Sequence, residues 1–287
     1  MNLIFIGTSE FAVPSLENLT KSDYKIKAVI TAPDKPQGRK KETIPSPVKQ
    51  KAEELQLKTL QPKDIKEIKE EIFEISPDLI IVAAYGQIIP KEIIEYPKLG
   101  SLNIHPSLLP KYRGPSPIQS AILKGEKEIG VTIIKMDEKM DHGPILSQEK
   151  IKIKTNQYYP EIQEKLSEEA ASLLNLTISR YLKKEITPRP QNDSKATYTK
   201  ILTRQDGEIN WQKEAQEIER KVKAFYPWPG TWVYFKNKRV KIIKAKAITE
   251  ERDGTVKTGK DYLLLEKVQP DGKKPMSGAD FLRGLNK

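Results

Sequence analysis

Cysteine is absent from this chain of 287 residues, and histidine occurs only twice. Without cysteine there are no disulfides and no thiolate metal ligands, and two histidines are too few for a usual structural zinc site. We therefore expect no bound metal. Long apolar runs are absent as well, and the N-terminus enters a strand pattern at once without a basic leader. We therefore expect neither a membrane span nor a signal peptide, and we expect a cytoplasmic protein.

Positive charge is in excess over the whole chain, with a formal net charge of +11. The length and the hydrophobic content of 37% are sufficient for two ordinary cores. Residues 205–287 hold 18 Lys and Arg against 12 Asp and Glu, a balance of +6. A basic portion of this kind suits a polyanion such as nucleic acid, although a lysine-rich surface without specific function has the same composition.

Short apolar runs alternate with helix patterns through the first half of the chain. The runs predict buried strands at Leu3–Gly7, Ile26–Thr31, Leu79–Ala84, Ser101–Ile104 and Val131–Lys135. Helix patterns lie between them, near Ser9–Leu19, Val48–Leu55, Ile65–Ile75 and Pro117–Leu123. This alternation predicts an α/β domain built on a Rossmann-like parallel sheet. The glycines of a dinucleotide fingerprint are incomplete after Gly7, so we do not expect NAD or ATP.

The second half of the chain has a different pattern. A helix pattern near Glu161–Leu182 closes the α/β domain, and Ile186–Ser194 has the composition of an exposed linker. A short helix pattern then precedes three β-rich runs, at Thr231–Phe235, Val240–Ile248 and Tyr262–Val268. We therefore predict a catalytic domain at residues 1–185, a linker at 186–204 and a small β domain at 205–287.

Both histidines lie in the segment between Leu102 and Leu146. His105 ends a predicted buried strand, and Asn103 lies on the same face two residues earlier. The carboxyl ends of strands in open α/β sheets are where ligands bind. A later turn carries Asp141, whose carboxylate could orient the imidazole of His105, while Asn103 offers a donor for a developing oxyanion. We predict that Asn103, His105 and Asp141 form a catalytic group.

A second candidate is the basic segment from Asp34 to Lys49, which contains one glycine and three prolines. Its cations before Lys49 are Lys35, Arg39, Lys40 and Lys41. Such a loop is not a core element, and a solvated connection is the plain alternative to a binding function. Arginine can engage base edges through its forked geometry, whereas lysine suits phosphates.

Several motifs give the chain a specific resemblance. Asn103-x-His105, followed by Ser107-Leu108-Leu109-Pro110-Lys111-Tyr112-Arg113-Gly114 and then by Asp141, resembles the folate-dependent formyltransferase family. The match runs nearly end to end, through Phe5-Ile6-Gly7-Thr8, Pro33–Arg39, Ala83–Pro90, Ala196-Thr197-Tyr198, Gly207–Trp211, Ala224–Pro229 and Pro270–Met276. Two positions depart from the family pattern, because Pro106 stands where glycine is common and His142 where threonine is common.

The resemblance implies an activity and a set of partners. It is strongest to members that transfer the formyl group of 10-formyltetrahydrofolate to methionine esterified to initiator tRNA. It implies a C-terminal barrel similar to the OB-fold that binds tRNA, and a monomer that needs no metal. The residues that would line the folate pocket are Tyr85, Gly86, Gln87, Ile88, Ile89, Ser107, Leu108, Leu109 and Pro110. The residues that would meet the tRNA acceptor stem are Lys35, Arg39, Lys40 and Lys41.

Other functions remain open at this point. Formylation of a small acceptor, such as a nucleotide sugar or glycinamide ribonucleotide, and hydrolysis of the formyl-folate could use the same three side chains. A non-catalytic RNA-binding protein on an α/β scaffold is a different class, and it would leave the Asn103, His105 and Asp141 set without a purpose.

Overall fold

The computed structural model describes residues 1–37 and 42–285, and contacts group the chain into two compact units. The first unit consists of Met1–Pro115, Glu128–Ile151 and Gln163–Thr199. The second unit consists of Ser116–Lys127, Lys152–Ile162 and Lys200–Lys287. Each unit is therefore assembled from separated stretches of sequence. The domain boundaries given above assume that each domain is one continuous segment, and they stay a prediction.

A seven-stranded sheet forms the centre of the first unit. The strands before residue 155 are β1 (Asn2–Gly7), β2 (Lys25–Ile30), β3 (Lys35–Gln37), β4 (Glu42–Ile44), β5 (Thr59–Leu60), β6 (Leu79–Ala83), β7 (Ser101–His105), β8 (Glu128–Lys135) and β9 (Ile145–Lys152). Their order in the sheet is β5-β2-β1-β6-β7-β8-β9. The five strands from β5 to β7 pair in parallel. The expected Rossmann-like α/β fold is therefore confirmed.

The helices of the described residues follow the expected alternation. They are α1 (Val13–Thr20), α2 (Pro47–Glu54), α3 (Lys69–Ile75), α4 (Lys91–Glu95), α5 (Pro117–Lys124), α6 (Tyr159–Leu182), α7 (Ala215–Phe225) and α8 (Gly278–Leu285). Local chemistry fixes the start of α2: the Ser46 hydroxyl accepts from the Lys49 amide, and Pro47 takes the first helical position, where no amide proton is needed.

Apolar runs buried on both faces make the centre of the sheet. Leu3, Ile4, Phe5 and Ile6 of β1 are fully buried, and every residue of β6 is buried. Parallel strands covered on both faces have no need of polar alternation, which explains why the sequence reads as continuous apolar runs. The carboxyl ends of β1, β6 and β7 are adjacent, because β6 pairs with both neighbours.

One edge of the sheet departs from parallel pairing. β8 runs antiparallel to β7, with Asn103 opposite Ile134 and His105 opposite Thr132. An apolar run buried on both faces gives no information about its direction, so the pattern could not reveal this. The sequence also missed β9, in which only two positions are buried, and the two-residue β5.

The basic segment contains a small hairpin and is not only a loop. β3 and β4 pair antiparallel, with Lys35 opposite Ile44. Arg39, Lys40 and Lys41 lie outside the described residues. The hairpin base is tied down by Lys49, whose Nζ lies 2.6 Å from Asp34 Oδ2, and by the Gln61 amide, which donates to Asp34 Oδ1 at 2.7 Å. The Lys49 hydrogen bond, followed by that of Gln61, holds the pKa of Asp34 below its usual value.

The second unit contains a four-stranded antiparallel sheet. Its strands are β10 (Thr231–Phe235), β11 (Lys238–Ile248), β12 (Thr255–Lys257) and β13 (Tyr262–Pro270), in the order β10-β11-β13-β12. Buried residues of the sheet pack with Ile218 and Val222 of α7 and with Phe281 of α8. The predicted small β domain is confirmed as a half-barrel, and closure into an OB-like barrel stays a prediction. In the part of the chain that the structure describes, no helix combines the length and the hydrophobicity needed to cross a membrane.

Candidate active site

The end of β7 carries two of the three predicted catalytic side chains. Asn103 and His105 are two residues apart, so both point to one face of the sheet. The ring of His105 is almost fully buried, with 4% of the residue exposed. Asp141 arrives from the turn after β8, and its Oδ1 accepts a hydrogen bond from Asn103 Nδ2 at 3.1 Å. The structure therefore brings the three predicted side chains together, and their catalytic roles stay a prediction.

The turn that delivers Asp141 has little freedom. Asp141 has a φ of 48°, in the left-handed region that few residues other than glycine, asparagine and aspartate adopt readily. A side chain at Gly143 would lie 1.9 Å from the carbonyl oxygen of Lys135, so only glycine fits there. The backbone of the turn is thus fixed against the end of β8.

The carboxylate of Asp141 has donors on both oxygens. Oδ2 accepts from the Gly114 amide at 2.7 Å and lies 3.5 Å from Nδ1 of His105, while Oδ1 accepts from Asn103. Asp141 is therefore placed as the anion that holds the Asn103 amide and faces the imidazole.

The other edge of the imidazole points at backbone. Nε2 of His105 lies 2.9 Å from the carbonyl oxygen of Tyr112. Because a carbonyl can only accept, the hydrogen bond requires a proton on Nε2, and Nδ1 then faces the Asp141 carboxylate. The two contacts fix the orientation of the imidazole at the end of β7.

The predicted folate segment after β7 is firmly anchored. Ser107 is fully buried and donates its hydroxyl proton to the carbonyl oxygen of Lys111 at 2.7 Å, so it is not poised as a nucleophile. The Leu109 amide donates to Thr132 Oγ1 at 3.2 Å, and Gln148 Nε2 donates to the Leu109 carbonyl at 2.8 Å. Leu109 is buried, while Leu108 and Pro110 are partly exposed. The segment is a rigid wall beside His105.

The other predicted folate segment follows β6, at the neighbouring strand end. Tyr85 is buried, and its hydroxyl has no hydrogen-bond partner. Burial, with a smaller effect of Asp64, raises the pKa of Tyr85 to about 12. Gly86 has a φ of 83°, Ile89 is buried and Ile88 is 87% exposed. An orphaned buried hydroxyl and an exposed apolar side chain at this edge fit a ligand with polar and aromatic parts, such as a folate.

The Gln87 side chain is already engaged. Its Oε1 accepts from the Ile65 amide at 3.1 Å, and its Nε2 donates to the Lys63 carbonyl at 3.2 Å. These bonds tie the segment after β6 to the backbone before α3. Gln87 is therefore positioned to shape the predicted pocket rather than to offer free polar groups.

Sequence reasoning missed a buried arginine next to the site. Arg113 is 1% exposed, and its Nη2 lies 2.7 Å from Asp193 Oδ1 while its Nη1 donates to the Tyr198 hydroxyl at 3.2 Å. Burial opposes the charge, but Asp193 and Tyr198 outweigh it, so the pKa of the guanidinium stays above its usual value. Arg113 also lowers the pKa of Asp193. The arginine was visible in the motif, but nothing in the sequence revealed its partners.

The unusual histidine belongs to the same neighbourhood. His142 Nδ1 lies 2.5 Å from Asp137 Oδ2, and its Nε2 lies 3.4 Å from Asp193 Oδ2. The ring is thus held between two carboxylates on the side of Arg113. Within residues 1–37 and 42–285, no cluster of three or more His, Asp or Glu side chains is arranged to hold a metal ion.

The fold and this site together define a class of protein. Residues 1–178 match the family described as "Formyl transferase", and residues 201–286 match "Formyl transferase, C-terminal domain". The chain belongs to the formyl transferase family. It is 42% identical over 300 aligned residues to the methionyl-tRNA formyltransferase of Halalkalibacterium halodurans, covering 99% of this chain and 95% of the relative. It is 41% identical to that of Clostridium tetani, covering 99% and 96%. The resemblance drawn from the motifs is confirmed.

Several solved structures share the fold. HypX from Aquifex aeolicus, solved in complex with tetrahydrofolic acid, has a TM-score of 0.69 at 17% identity, covering 99% of this chain and 47% of HypX. An N-formyltransferase from Helicobacter canadensis has a TM-score of 0.70 at 22% identity, covering 93% and 98%. Methionyl-tRNA formyltransferase from Clostridium thermocellum has a TM-score of 0.62 at 19% identity, covering 96% and 99%. At these identities the likeness concerns the fold alone.

Proposed function

We propose that this protein transfers the formyl group of 10-formyltetrahydrofolate to the α-amino group of methionine on initiator tRNA, for translation initiation. The observation that carries the proposal is the convergence of Asn103, His105 and Asp141 at the end of β7. It stands in a chain that matches methionyl-tRNA formyltransferases along 99% of its length. The formyl donor is the folate co-substrate that the formyl transferase family uses.

The chemistry needs no group beyond those side chains and water. The amine nitrogen of methionine attacks the formyl carbon and forms a new C–N bond, which gives a tetrahedral centre with an oxyanion and an ammonium. The Asn103 amide and the charged imidazole of His105 stabilise the oxyanion. Collapse breaks the bond to N10 of the folate, and N10 takes up the proton that the ammonium releases. Asp141 holds His105 and, through water, helps to move that proton.

The anchored segments beside the strand ends are assigned to the folate. Ser107–Pro110 and Tyr85–Ile89 line its pocket, with the Tyr85 hydroxyl as an available donor. Leu109 is buried and held by hydrogen bonds to Thr132 and Gln148, so this part of the lining is apolar and fixed. A dry, preorganised pocket strengthens the electrostatic stabilisation of the oxyanion.

The tRNA is assigned to the basic regions of the chain. Lys35 is exposed on β3, and Arg39, Lys40 and Lys41 continue the basic segment in the sequence. The segment meets the acceptor end, and residues 205–287, with their balance of +6, supply contacts to the phosphate backbone. The protein acts as a monomer in the cytoplasm, where initiator tRNA and reduced folate are present.

A panel of acceptors tests the proposal. The full chain is incubated with 10-formyltetrahydrofolate labelled in the formyl group, and with initiator methionyl-tRNA, uncharged initiator tRNA, an amino-sugar nucleotide or glycinamide ribonucleotide. Label should be transferred to methionyl-tRNA and to none of the others. Transfer to the sugar nucleotide or glycinamide ribonucleotide would favour a small acceptor, and release of formate without an acceptor would identify a hydrolase.

A further inference from the structure

The segment from Arg189 to Thr199 is hydrogen-bonded to Arg113 and to Ile145, which lie on either side of Asp141 in the sequence. The Arg113 amide donates to the Thr197 carbonyl at 2.8 Å, and the Thr199 amide donates to the Arg113 carbonyl at 2.7 Å. Arg189 pairs in both directions with Ile145, each bond being 2.8 Å long. A segment whose composition suggests a solvated linker is thus bonded to the backbone on both sides of Asp141.

Gln191 connects this segment to the turn that carries Asp141. Its Nε2 donates to the carbonyl oxygens of Asp141 and Gly143, each at 2.8 Å. Its Oε1 accepts from Nε of Arg113 at 3.2 Å and from Nη2 at 2.9 Å. Both amide protons and both oxygen lone pairs are used, and the identity of the partners fixes which end is oxygen and which is nitrogen.

We propose that Gln191 is a positioning residue that fixes the catalytic orientation of Asp141, with Arg113 holding the Gln191 amide in place. The predicted effect of Gln191 on kcat rests on the proposed function. Asp141 is held at two points: Gln191 bonds its main-chain oxygen, and the Gly114 amide bonds its carboxylate. Among these contacts, only the Gln191 side chain bridges the carbonyls of Asp141 and Gly143. When it is removed, the backbone at Asp141 can leave its left-handed conformation.

Arg113 makes the arrangement rigid. Its guanidinium is buried, so leaving it without acceptors is costly, and Asp193 and Gln191 supply them. The main-chain amide of Arg113 also donates to the carbonyl of Thr197 in the 189–199 segment. The next residue, Gly114, donates its amide to the carboxylate of Asp141. One arginine therefore sets both contacts that orient the carboxylate. Small displacements of a catalytic group have large effects, since an error of 1 Å can cost about 100-fold in rate.

Gln191→Glu tests the proposal with the least change of shape. The glutamate keeps an acceptor for Arg113 but removes both donors to the Asp141 and Gly143 carbonyls. The kcat of formyl transfer should fall by about 10- to 100-fold, while the KM values for folate and methionyl-tRNA change little. Gln191→Ala serves as the second variant in case the glutamate disturbs folding. Asn192→Ala is the matched control, because Asn192 is exposed and its side chain only caps the short turn at Ser194.

A double-mutant cycle separates positioning from general damage. If Gln191 acts through Asp141, then Gln191→Glu added to Asp141→Asn should lower kcat by much less than it does in the native chain. Fully additive losses, a change in KM alone, or normal kcat in a folded Gln191→Glu protein would each overturn the proposal.

A measurement without turnover distinguishes this proposal from the function itself. The chain has two histidines, so the ring signals of His105 can be assigned by NMR once those of His142 are removed in His142→Gln. The His105 signals should shift in Gln191→Glu and stay at their native positions in Asn192→Ala. Unchanged His105 signals would refute the positioning role, whether or not the native chain transfers formyl groups.

Discussion

Replacing Asp141 by asparagine removes the anion of the candidate active site while keeping its shape. In the native site the two carboxylate oxygens serve the Gly114 amide, the Asn103 amide and Nδ1 of His105. An asparagine oxygen can serve Gly114, but its amide nitrogen then meets the Asn103 amide as a second donor. Asn103 must rotate to present its oxygen, and this withdraws the donor that is assigned to the oxyanion.

The expected loss combines two effects. Removing one oxyanion donor typically costs about 10²–10³ in rate. Loss of the charge also weakens the ionic contact with His105. Because this contact of 3.5 Å is long, its effect is at the lower end of about 1.5–3 kcal/mol, which is about tenfold in rate. Together these figures predict that Asp141→Asn lowers kcat by about 10³–10⁴, with KM for methionyl-tRNA little changed.

Single-turnover kinetics with enzyme in excess measures the chemical step directly. A thermal melt checks that the variant is folded, since about 1 kcal/mol moves the midpoint by only a few degrees in a chain of this size. Asp141→Glu is a useful companion, because it restores the charge at a displaced position. A folded Asp141→Asn protein whose rate lies within about threefold of the native rate would refute the reasoning.

Three further predictions follow from single features. Burial raises the pKa of Tyr85 to about 12, above the value of about 10 in an unfolded chain, so Tyr85 contributes stability below pH 10 that is lost as the pH rises towards 12. Tyr85→Phe should therefore reduce the alkaline loss of stability in urea titrations, and an unchanged pH profile would contradict this. Gly143→Ala places a carbon 1.9 Å from the Lys135 oxygen, so both the melting temperature and kcat should fall, and a normal kcat would show that the turn does not matter. Arg39→Ala should raise KM for methionyl-tRNA and leave KM for folate unchanged, whereas equal changes in both would assign the segment to the folate pocket.

The elements near the candidate active site were predictable because short stretches of the sequence determine them. β7 is a short apolar run stopped by Pro106, and it places Asn103 and His105 on one face whatever the rest of the chain does. The turn that follows the apolar run Val131–Lys135 indicates Asp141 as the third member of the group. Three of the four strands in the sheet of the second unit were predictable for a similar reason, since turn residues separate their apolar runs.

Features set by distant contacts could not be predicted. The antiparallel direction of β8 depends on its pairing with β7, and an apolar run is the same in both directions. The role of Gln191 depends on Arg113, which is 78 positions away in the chain. Gln191 lies in a segment rich in proline and polar residues, a composition that indicates a linker. Only the folded structure shows that the side-chain amide of Gln191 makes all of its hydrogen bonds.

The most direct test follows the formyl group itself. Native protein is mixed with labelled 10-formyltetrahydrofolate and initiator methionyl-tRNA for a single turnover, and the amino acid is then released from the tRNA and identified by mass spectrometry. The native chain should yield labelled N-formylmethionine, and a folded His105→Ala protein should yield it at least about 100-fold more slowly. Label that remains on the folate or appears as formate, or equal rates for the two proteins, would contradict formyl transfer by the Asn103, His105 and Asp141 site.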